Sequence, residues 1–580
     1  MDDSLLEFSS AYKSQYKEKF HQNAENYFSS LVEKSQIDVE ANKKTATQYR
    51  EWQTHLEKYS KLTQRKKTGR TLLIVLAVLL AIAAVVCVLL SIDSSGPLTI
   101  ILAAVCGVGA VAVIVVIVAV ISPSIKNAEA KRQEAEAKAK ELLSKCKQQL
   151  MPLFDTYDNF CTFELIQKTV PLFKFDRNFN VQRYDYFNGK YGHEYKADKD
   201  RSTVDVFSGE INGNPFFLQK EFKMRMGSHT YQGSIVISWT ETVRDSQGHT
   251  RTVTRTQTLT ASVTKPKPVY SYFTRLVYAS DAAPDLSFSR NPTDAEKMTE
   301  KQLQKFVKSE HKKIQKKAAK SVQQGGTFTE MGNAEFDALF GADDRDHEVQ
   351  FRLMFTPLAQ KNMLELIKNP DPYGDDFTFV KHKRINIVAS EHSQKWDYSV
   401  NINNFLSYDV DLCKKKFLDY NDEFFRGLYF EFAPLMAIPL YQQYKPTEYI
   451  YQHQYVSNNT MYEAEVLANK LDVSLLRHPD SKTETILSAH LAEKRAGEDI
   501  VEIDAYSYDT EELVEVVPTL GGDGRIHSVP VRYLNYIPIS NQTLVSLSAI
   551  PAEHDTKRDE YNGDSAIRHG LQAKIMQNNN

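Results

Sequence analysis

Two uncharged apolar runs, only five residues apart, constrain this chain more than any other feature. Thr71 to Ile92 reads TLLIVLAVLLAIAAVVCVLLSI, and Leu98 to Ile121 reads LTIILAAVCGVGAVAVIVVIVAVI. As a helix the first run spans about 33 Å, enough for the hydrocarbon core of a bilayer. A helix of a soluble protein normally turns one face to water. Apolar character all round therefore predicts two transmembrane helices, 71–92 and 98–121. Asp93-Ser94-Ser95-Gly96-Pro97 between them has room only for a tight turn, so the spans form an antiparallel hairpin.

The turn carries no Lys or Arg. Lys61, Arg65, Lys66, Lys67 and Arg70 precede the first span, and Lys126, Lys131, Arg132 and Lys138 follow the second. The positive-inside rule then predicts a multi-pass protein of the cell (inner) membrane with both termini cytoplasmic. Neither span holds an ionisable carboxylate, amine or imidazole, which argues against a transport route through this hairpin alone. Cys106, Gly107, Gly109 and Ala110 offer a small-residue surface for close helix contact.

Composition adds mainly exclusions. The 580 residues include 71 basic and 74 acidic side chains, a net charge of -3. That balance gives no global attraction to polyanions, and no nucleic-acid partner is expected. The mean hydropathy of -0.44 looks soluble only because it averages over the apolar block. Cys87, Cys106, Cys146, Cys161 and Cys413 form no CxxC pair. Neither a zinc site nor a disulfide framework is expected, and the pattern suits a reducing compartment. The start, MDDSLLEFSSAYKSQYKEKF, has no apolar core of a cleavable signal peptide.

Residues 1–70 read as a cytoplasmic helical region. Leu5, Phe8, Tyr12, Tyr16, Phe20, Ala24, Tyr27 and Leu31 recur at three- and four-residue steps, as do Tyr49, Trp52, Leu56, Tyr59 and Leu62. Residues 122–150 are rich in Ala, Lys, Glu and Gln, with Ala128, Ala135, Leu142 and Cys146 as inward positions. The hairpin brings this juxtamembrane helix out beside 45–70, predicting an antiparallel coiled-coil stalk. The alternative is two independent helices packed on the soluble domain.

From about 180 the period changes to two. Ser234 to Thr242 (SIVISWTET), a turn at Asp245-Ser246-Gln247-Gly248 and Arg251 to Val263 (RTVTRTQTLTASV) make a β-hairpin. Further strands are expected at 203–208, 215–223 and 269–279, giving a β-rich domain over 180–290. A basic helix follows at 294–322, where Lys297, Lys301, Lys305, Lys308, Lys312 and Lys316 are candidate lipid-contacting residues. A solvated helical face is the competing reading. Residues 330–440 read as an α+β unit, with a strand at 347–355, a helix begun by Pro357, strands in 375–388 and 398–402, and a helix over 411–432. Residues 445–553 form a C-terminal β-containing region, and 554–580 a flexible tail. The fold class is thus a membrane α-helical hairpin plus a cytoplasmic α+β body, an antiparallel β-rich domain followed by a mixed unit.

SGEINGNPFFLQKEF (208–222), the hairpin after it and EFDALFGADDRDHEVQFRLMFTPLAQKNMLELI (335–367) come in an order that resembles an uncharacterised bacterial family. Its members carry two neighbouring transmembrane helices and a cytoplasmic domain of unknown function. The resemblance covers roughly residues 1–440. It implies architecture and no site residues.

Catalytic signatures are missing. There is no GxxxxGK[ST], HExxH or GxSxG, and Gly521-Gly522-Asp523-Gly524 reads as a turn. No catalytic residue, metal ligand or cofactor is assigned. His347 among Asp343, Asp344, Asp346 and Glu348 is the densest His/carboxylate patch, read as a solvated acidic loop because Arg345 interrupts it. Lys381-His382-Lys383-Arg384 reads as a charge-protected strand edge. Tyr441, Tyr444, Tyr449, Tyr451 and Tyr455 suggest packing or a groove. The leading expectation is a membrane-anchored scaffold with the lipid bilayer and a protein as partners. The alternatives are an enzyme or ligand sensor with its site in 180–440, and a protein contacting anionic lipid through the 297–320 lysines.

Overall fold

The computed structural model describes residues 8–93, 97–177, 179–244, 250–395, 398, 402–443, 445, 460–495, 497–550, 560–568 and 570–576. The chain divides into two compact units. One comprises residues 24–157 and 401–420, the other 1–23, 158–400 and 421–580.

The first unit is helical. Helix Val39–Asp93 carries the stalk sequence and the first apolar run without a break. Helix Pro97–Val116, a π-turn at Ile117–Ile121 and helix Ser122–Thr156 return the chain. The two rods are antiparallel. Gln149 Nε2 donates to Thr45 Oγ1 at 3.2 Å, Lys138 Nζ lies 4.5 Å from the Trp52 ring, and Lys66 Nζ donates to Ser124 Oγ at 2.7 Å. Ile125, Ala128, Ala135, Ala139 and Cys146 are buried at steps of three, seven, four and seven residues. That pattern holds a 3.5-residue period, which keeps one stripe facing a partner helix. The side-by-side pairing expected of 45–70 and 122–150 is present.

Along the apolar runs the small-residue surface does what spacing suggested. Ala77 and Ala110 are buried, and a Cβ on Gly109 would lie 3.6 Å from Leu80 Cδ1. Gly107 meets nothing within 4 Å and takes no part. Many of the other described apolar side chains are exposed, among them Leu72 at 65 % and Val108 at 71 %. Both helices are long and apolar enough to cross a membrane.

The second unit is α+β, with two antiparallel sheets. The first contains β1 (Phe173–Phe175), β2 (Arg201–Ile211), β3 (Asn214–Arg244), β4 (Thr250–Ala279), β5 (Ser287–Arg290), β6 (Phe377–His382) and β7 (Ile385–Ser390), in the order β1-β2-β3-β4-β7-β6-β5. The second contains β8 (Ile486–Arg495), β9 (Glu498–Leu520), β10 (Ile526–Ala549), β11 (Glu560–Asn562), β12 (Ser565–Arg568) and β13 (Leu571–Ile575), in the order β11-β12-β13-β10-β9-β8. Strands from the 180–290 and 330–440 segments therefore share one sheet. Helix Met461–Ala468 packs on the second sheet, where Leu467, Leu487, Val501, Ile503, Val545 and Leu547 are buried together. Aromatic stacking ties the N-terminal segment to this unit: Phe8 lies 4.0 Å from Tyr429, and Phe20 lies 4.3 Å from Phe425. Leu5 of the same predicted stripe lies outside the described residues.

Two hairpins run far beyond their sheets. β3 and β4 are 31 and 30 residues long and pair in one register from Phe216↔Tyr278 to Arg244↔Thr250. The predicted turn at 245–248 lies outside the described residues. β9 and β10 are 23 and 24 residues long and pair from Glu498↔Ser548 to Leu520↔Ile526. A two-stranded ribbon alone is marginal in water, and these two arms cover each other. Ile237, Leu259 and Val529 form a small core between them, with Ile235, Trp239 and Ala261 packed alongside. Lys265 pairs with Glu515 and sits 4.5 Å from the Tyr533 ring. Gly522 N donates to Gln257 Oε1 at 2.7 Å.

Three expectations are corrected. The strand at 347–355 is helix Glu348–Met354: Phe351 and Met354 are buried three residues apart, and His347 Nδ1 accepts from Gln350 N to cap the helix. The tail 554–580 carries β11 to β13, because Ala566 and Ala573 fill the core against β10. The strand over 398–402 is replaced at its described end by a 3₁₀ turn, Ile402–Asn404. Helix 411–432 is present, as Val410–Met436.

The closest approach between the arms supplies a test. A Cβ on Gly233 would come 2.1 Å from the Pro530 carbonyl oxygen. Gly233→Ala is expected to cost ~1–3 kcal/mol of arm packing. Hydrogen exchange at 229–241 should accelerate several-fold, and unchanged protection would refute the packing of the arms.

Candidate functional surfaces and buried polar clusters

The basic helix begins with a capping box. The Thr299 side chain accepts from Gln302 N, and Gln302 Oε1 accepts from Thr299 N at 2.9 Å. Helix Glu300–Gln323 then buries only Ile314, with Leu303, Phe306, Val307 and Ala318 half-buried around it. Lys301, Lys305, Lys308, Lys312 and Lys316 are all exposed. At 100° per residue they fall within an arc of about 80°, a row roughly 22 Å long. Among the described residues none of these five has a carboxylate within 4.0 Å. Their neighbours are engaged: Lys313 with Glu310 at 2.7 Å, and Lys317 with Asp343 at 3.2 Å. Lys297 is a correction to the predicted set. It sits in the turn Ala295–Lys297, ahead of the helix, and pairs with Asp294 at 2.5 Å.

The acidic loop is not free to take a cation. Arg345 is buried, donating to Asp337 Oδ1 at 2.8 Å and Glu348 Oε2 at 2.9 Å, with its guanidinium 4.3 Å from the Phe328 ring. Asp344 and Asp346 accept from the backbone of Ser289 and Ser287 on β5, at 2.9 and 2.6 Å. Each carboxylate is held by a cation or an amide. No group of three or more His, Cys, Asp or Glu side chains suited to a metal ion occurs among the described residues.

The strand-edge reading of Lys381 is overturned. β5 pairs with the far side of β6, so Lys381 is interior. It is buried, its ammonium donates to the carbonyls of Ala282 and Lys383, and burial pushes it down to about 7.

Two clefts bring together residues that sequence order keeps apart. One, of about 420 Å³, is lined by Lys220, Phe222, Tyr272, Lys470, Arg477 and Thr485 among others. It opens where β2 bulges between Thr203 and Asp205, and the buried Thr485 hydroxyl has no partner among the described residues. Asp205 and Glu484 also line it, and Arg568 holds Asp205. The other, of about 240 Å³, is lined by Met224, Met226, Tyr270, Tyr506 and Tyr508. No local motif marks either cleft. Of the predicted tyrosine cluster, Tyr441 is buried and donates to Asn386 Oδ1 at 2.5 Å, while the other four lie outside the described residues.

The densest buried polar network also went unread in the sequence. His392 donates through Nε2 to the Gly427 carbonyl at 3.0 Å, and its Nδ1 is hydrogen-bonded to the Asp376 carboxylate at 2.7 Å, under a parallel Tyr373 ring 3.9 Å away. Both ring nitrogens are thus occupied. Ser393 Oγ donates to Glu431 instead of facing the imidazole. The set lacks the nucleophile–base contact that acyl transfer requires. Burial raises Glu431 to about 7, against the opposing pull of His392 and Ser393.

In comparisons with known proteins, no family model, curated protein or solved structure matches the chain. The resemblance drawn from 208–222 and 335–367 rests on those residues alone.

The sign of the Glu431 effect is testable. Its folded value of about 7 lies above the ordinary 4.5. Its contribution to stability is therefore complete below about 4.5 and lost as pH rises through about 7. Glu431→Gln, neutral at every pH, should remove up to about 3 kcal/mol of the fall in stability between pH 5 and 8. A denaturation profile as steep as that of the parent would refute the buried, proton-linked carboxyl.

Proposed function

We propose that this is a membrane-anchored protein whose α+β body binds a protein partner. The observation that carries the anchor is the outward apolar surface along the two long helices, with side chains such as Leu72 and Val108 exposed. In water such a surface would drive aggregation; in a bilayer it is solvated. The Lys and Arg flanks and the uncharged turn support a multi-pass arrangement with both termini cytoplasmic. On this reading the paired rods 45–70 and 122–150 are a coiled-coil stalk. The body supports a binding role through its long arms, which expose strand edges and faces beyond what a compact fold needs.

A second reading, contact with anionic lipid, is favoured by the row of five lysines without carboxylate partners. Such a row is worth about 1 kcal/mol per Lys near a charged surface.

Sodium carbonate washing of membranes tests the anchor. The intact chain should stay in the pellet, and a chain lacking 71–121 should be released; release of the intact chain would sink the reading. Amine labelling of the reconstituted full chain tests the lysine row. Lys301 to Lys316 should be protected in bilayers with anionic lipid and become reactive again at high salt. Equal labelling in anionic and neutral bilayers would discard lipid contact.

A further inference from the structure

The two arms present four strand edges, and the sequence treats them unequally. β2 pairs with β3 only as far as Lys223, and β7 pairs with β4 only over Leu276–Ala279. β8 pairs with β9 only up to Tyr506, and β13 with β10 only from Val545. Beyond these points one edge of each strand has no partner strand among the described residues.

Which backbone groups point outward follows from the bonds nearest the body. Thr274 of β4 bonds Gln394 through its N–H at 2.7 Å and through its carbonyl at 3.0 Å. Met224 of β3 donates to the Asp200 carbonyl at 2.8 Å, and Tyr508 of β9 accepts from Lys482 N at 2.9 Å. The groups of even-numbered residues therefore face outward on β3, β4 and β9, since ladder bonds alternate. The antiparallel register, in which Tyr508 lies opposite Pro538, extends the same parity to β10.

On three strands the outward edge is interrupted, so that no stretch free of proline and charge is longer than 256–264 on β4. Pro266 and Pro268 remove outward donors from β4, Pro518 from β9, and Pro530 and Pro538 from β10. Arg251, Arg255, Lys265 and Lys267 add charge to β4, Glu511, Glu512 and Glu515 to β9, and Arg532 to β10. Proline and charge are the usual means of keeping a strand edge from pairing. β3 has neither device. From Met226 to Thr242 it contains no proline, no Lys or Arg, and one acidic residue, Glu241. Its register with β4 runs through this stretch without a bulge, and Met226, Ser228, Thr230, Gln232, Ser234, Val236, Ser238, Thr240 and Thr242 are all exposed.

We infer that the β3 edge over 226–242 docks the same edge of a second copy of this chain, antiparallel, as one continuous sheet. The edge is self-complementary. With Ile235 opposite Ile235 of the second copy, Tyr231 faces Trp239, His229 faces Glu241 and Thr230 faces Thr240. No like charges meet, and cross-strand aromatic pairs are favourable. An antiparallel pair of identical edges closes on itself as a two-fold dimer, so it needs no further copies and builds no fibre. This inference rests on the reading of the body as a binding body and names its partner.

Proline at an outward position tests it, because such a residue donates no bond within its own arm. The full chain in detergent should have twice the protein mass of the 66.2 kDa chain by light scattering. Ser234→Pro should be a monomer. Thr256→Pro, the same change on the interrupted β4 edge, should remain a dimer. Both variants should keep the parent circular dichroism and stay in the carbonate pellet, which separates loss of the dimer from loss of the fold or the anchor. A monomeric parent, a dimeric Ser234→Pro, or equal loss in both variants would overturn the proposal. A monomeric parent would assign the edge to a different protein.

Discussion

The body depends on two β-ribbons covering each other. A strand of 31 residues reaches roughly 100 Å, several times the usual length, and most of it lies beyond the sheet in which it starts. A ribbon of that length has one face to bury and no helix to bury it against. The face lost from water here is the one shared by Ile237, Leu259 and Val529, with Trp239 alongside. Gly233 lets the Pro530 carbonyl approach the ribbon closely. The opposite face of the first arm is mostly Thr and Ser, whose hydroxyls are solvated by water, and the β-branched Thr also favours the strand. Inside and outside of the arm are thus written in alternate residues.

The helical unit meets the same constraint with a different period. Ala128, Ala135 and Ala139 are buried along one rod, and Trp52, Leu56 and Tyr59 are half-buried along the other. That alternation of small against large allows close packing without overlap. Toward the apolar runs the stripe narrows to Ala77, Ala110 and Gly109, and the rest of each helix turns outward. The paired rods carry ion pairs such as Lys67 with Glu129 at one end and uncharged, mainly apolar side chains at the other.

Several buried charges within the body sit in pairs. Arg290 and Asp375 are both fully buried and bonded to each other, and Arg183 holds Asp176 and Glu210. Burying an ion is tolerable only when its partner goes with it, which explains why DDRDHE became a clamp on β5 and not a cation loop. The exposed lysine row on helix Glu300–Gln323 stands apart from this habit. Its five exposed lysines have no carboxylate within 4.0 Å among the described residues.

Much of the architecture was legible because it rests on period and run length. The apolar runs, the stripes at three- and four-residue steps, the basic helix and the 234–263 hairpin all follow from local pattern. The 347–355 segment misled because a short alternation of apolar residues reads as a strand until His347 caps it as a helix. The tail misled because Ala566 and Ala573 become core positions only when β12 and β13 pair alongside β10. The clefts and the His392 network had no signal, since their residues lie up to hundreds of positions apart. The sequence alone determined which segments are oily, which are helical and which alternate, because those properties are set by neighbours along the chain. Only the tertiary structure decided which strand edges remain open, which lysine is buried and which carboxyl burial pushes upward, because each depends on what another part of the chain places against it.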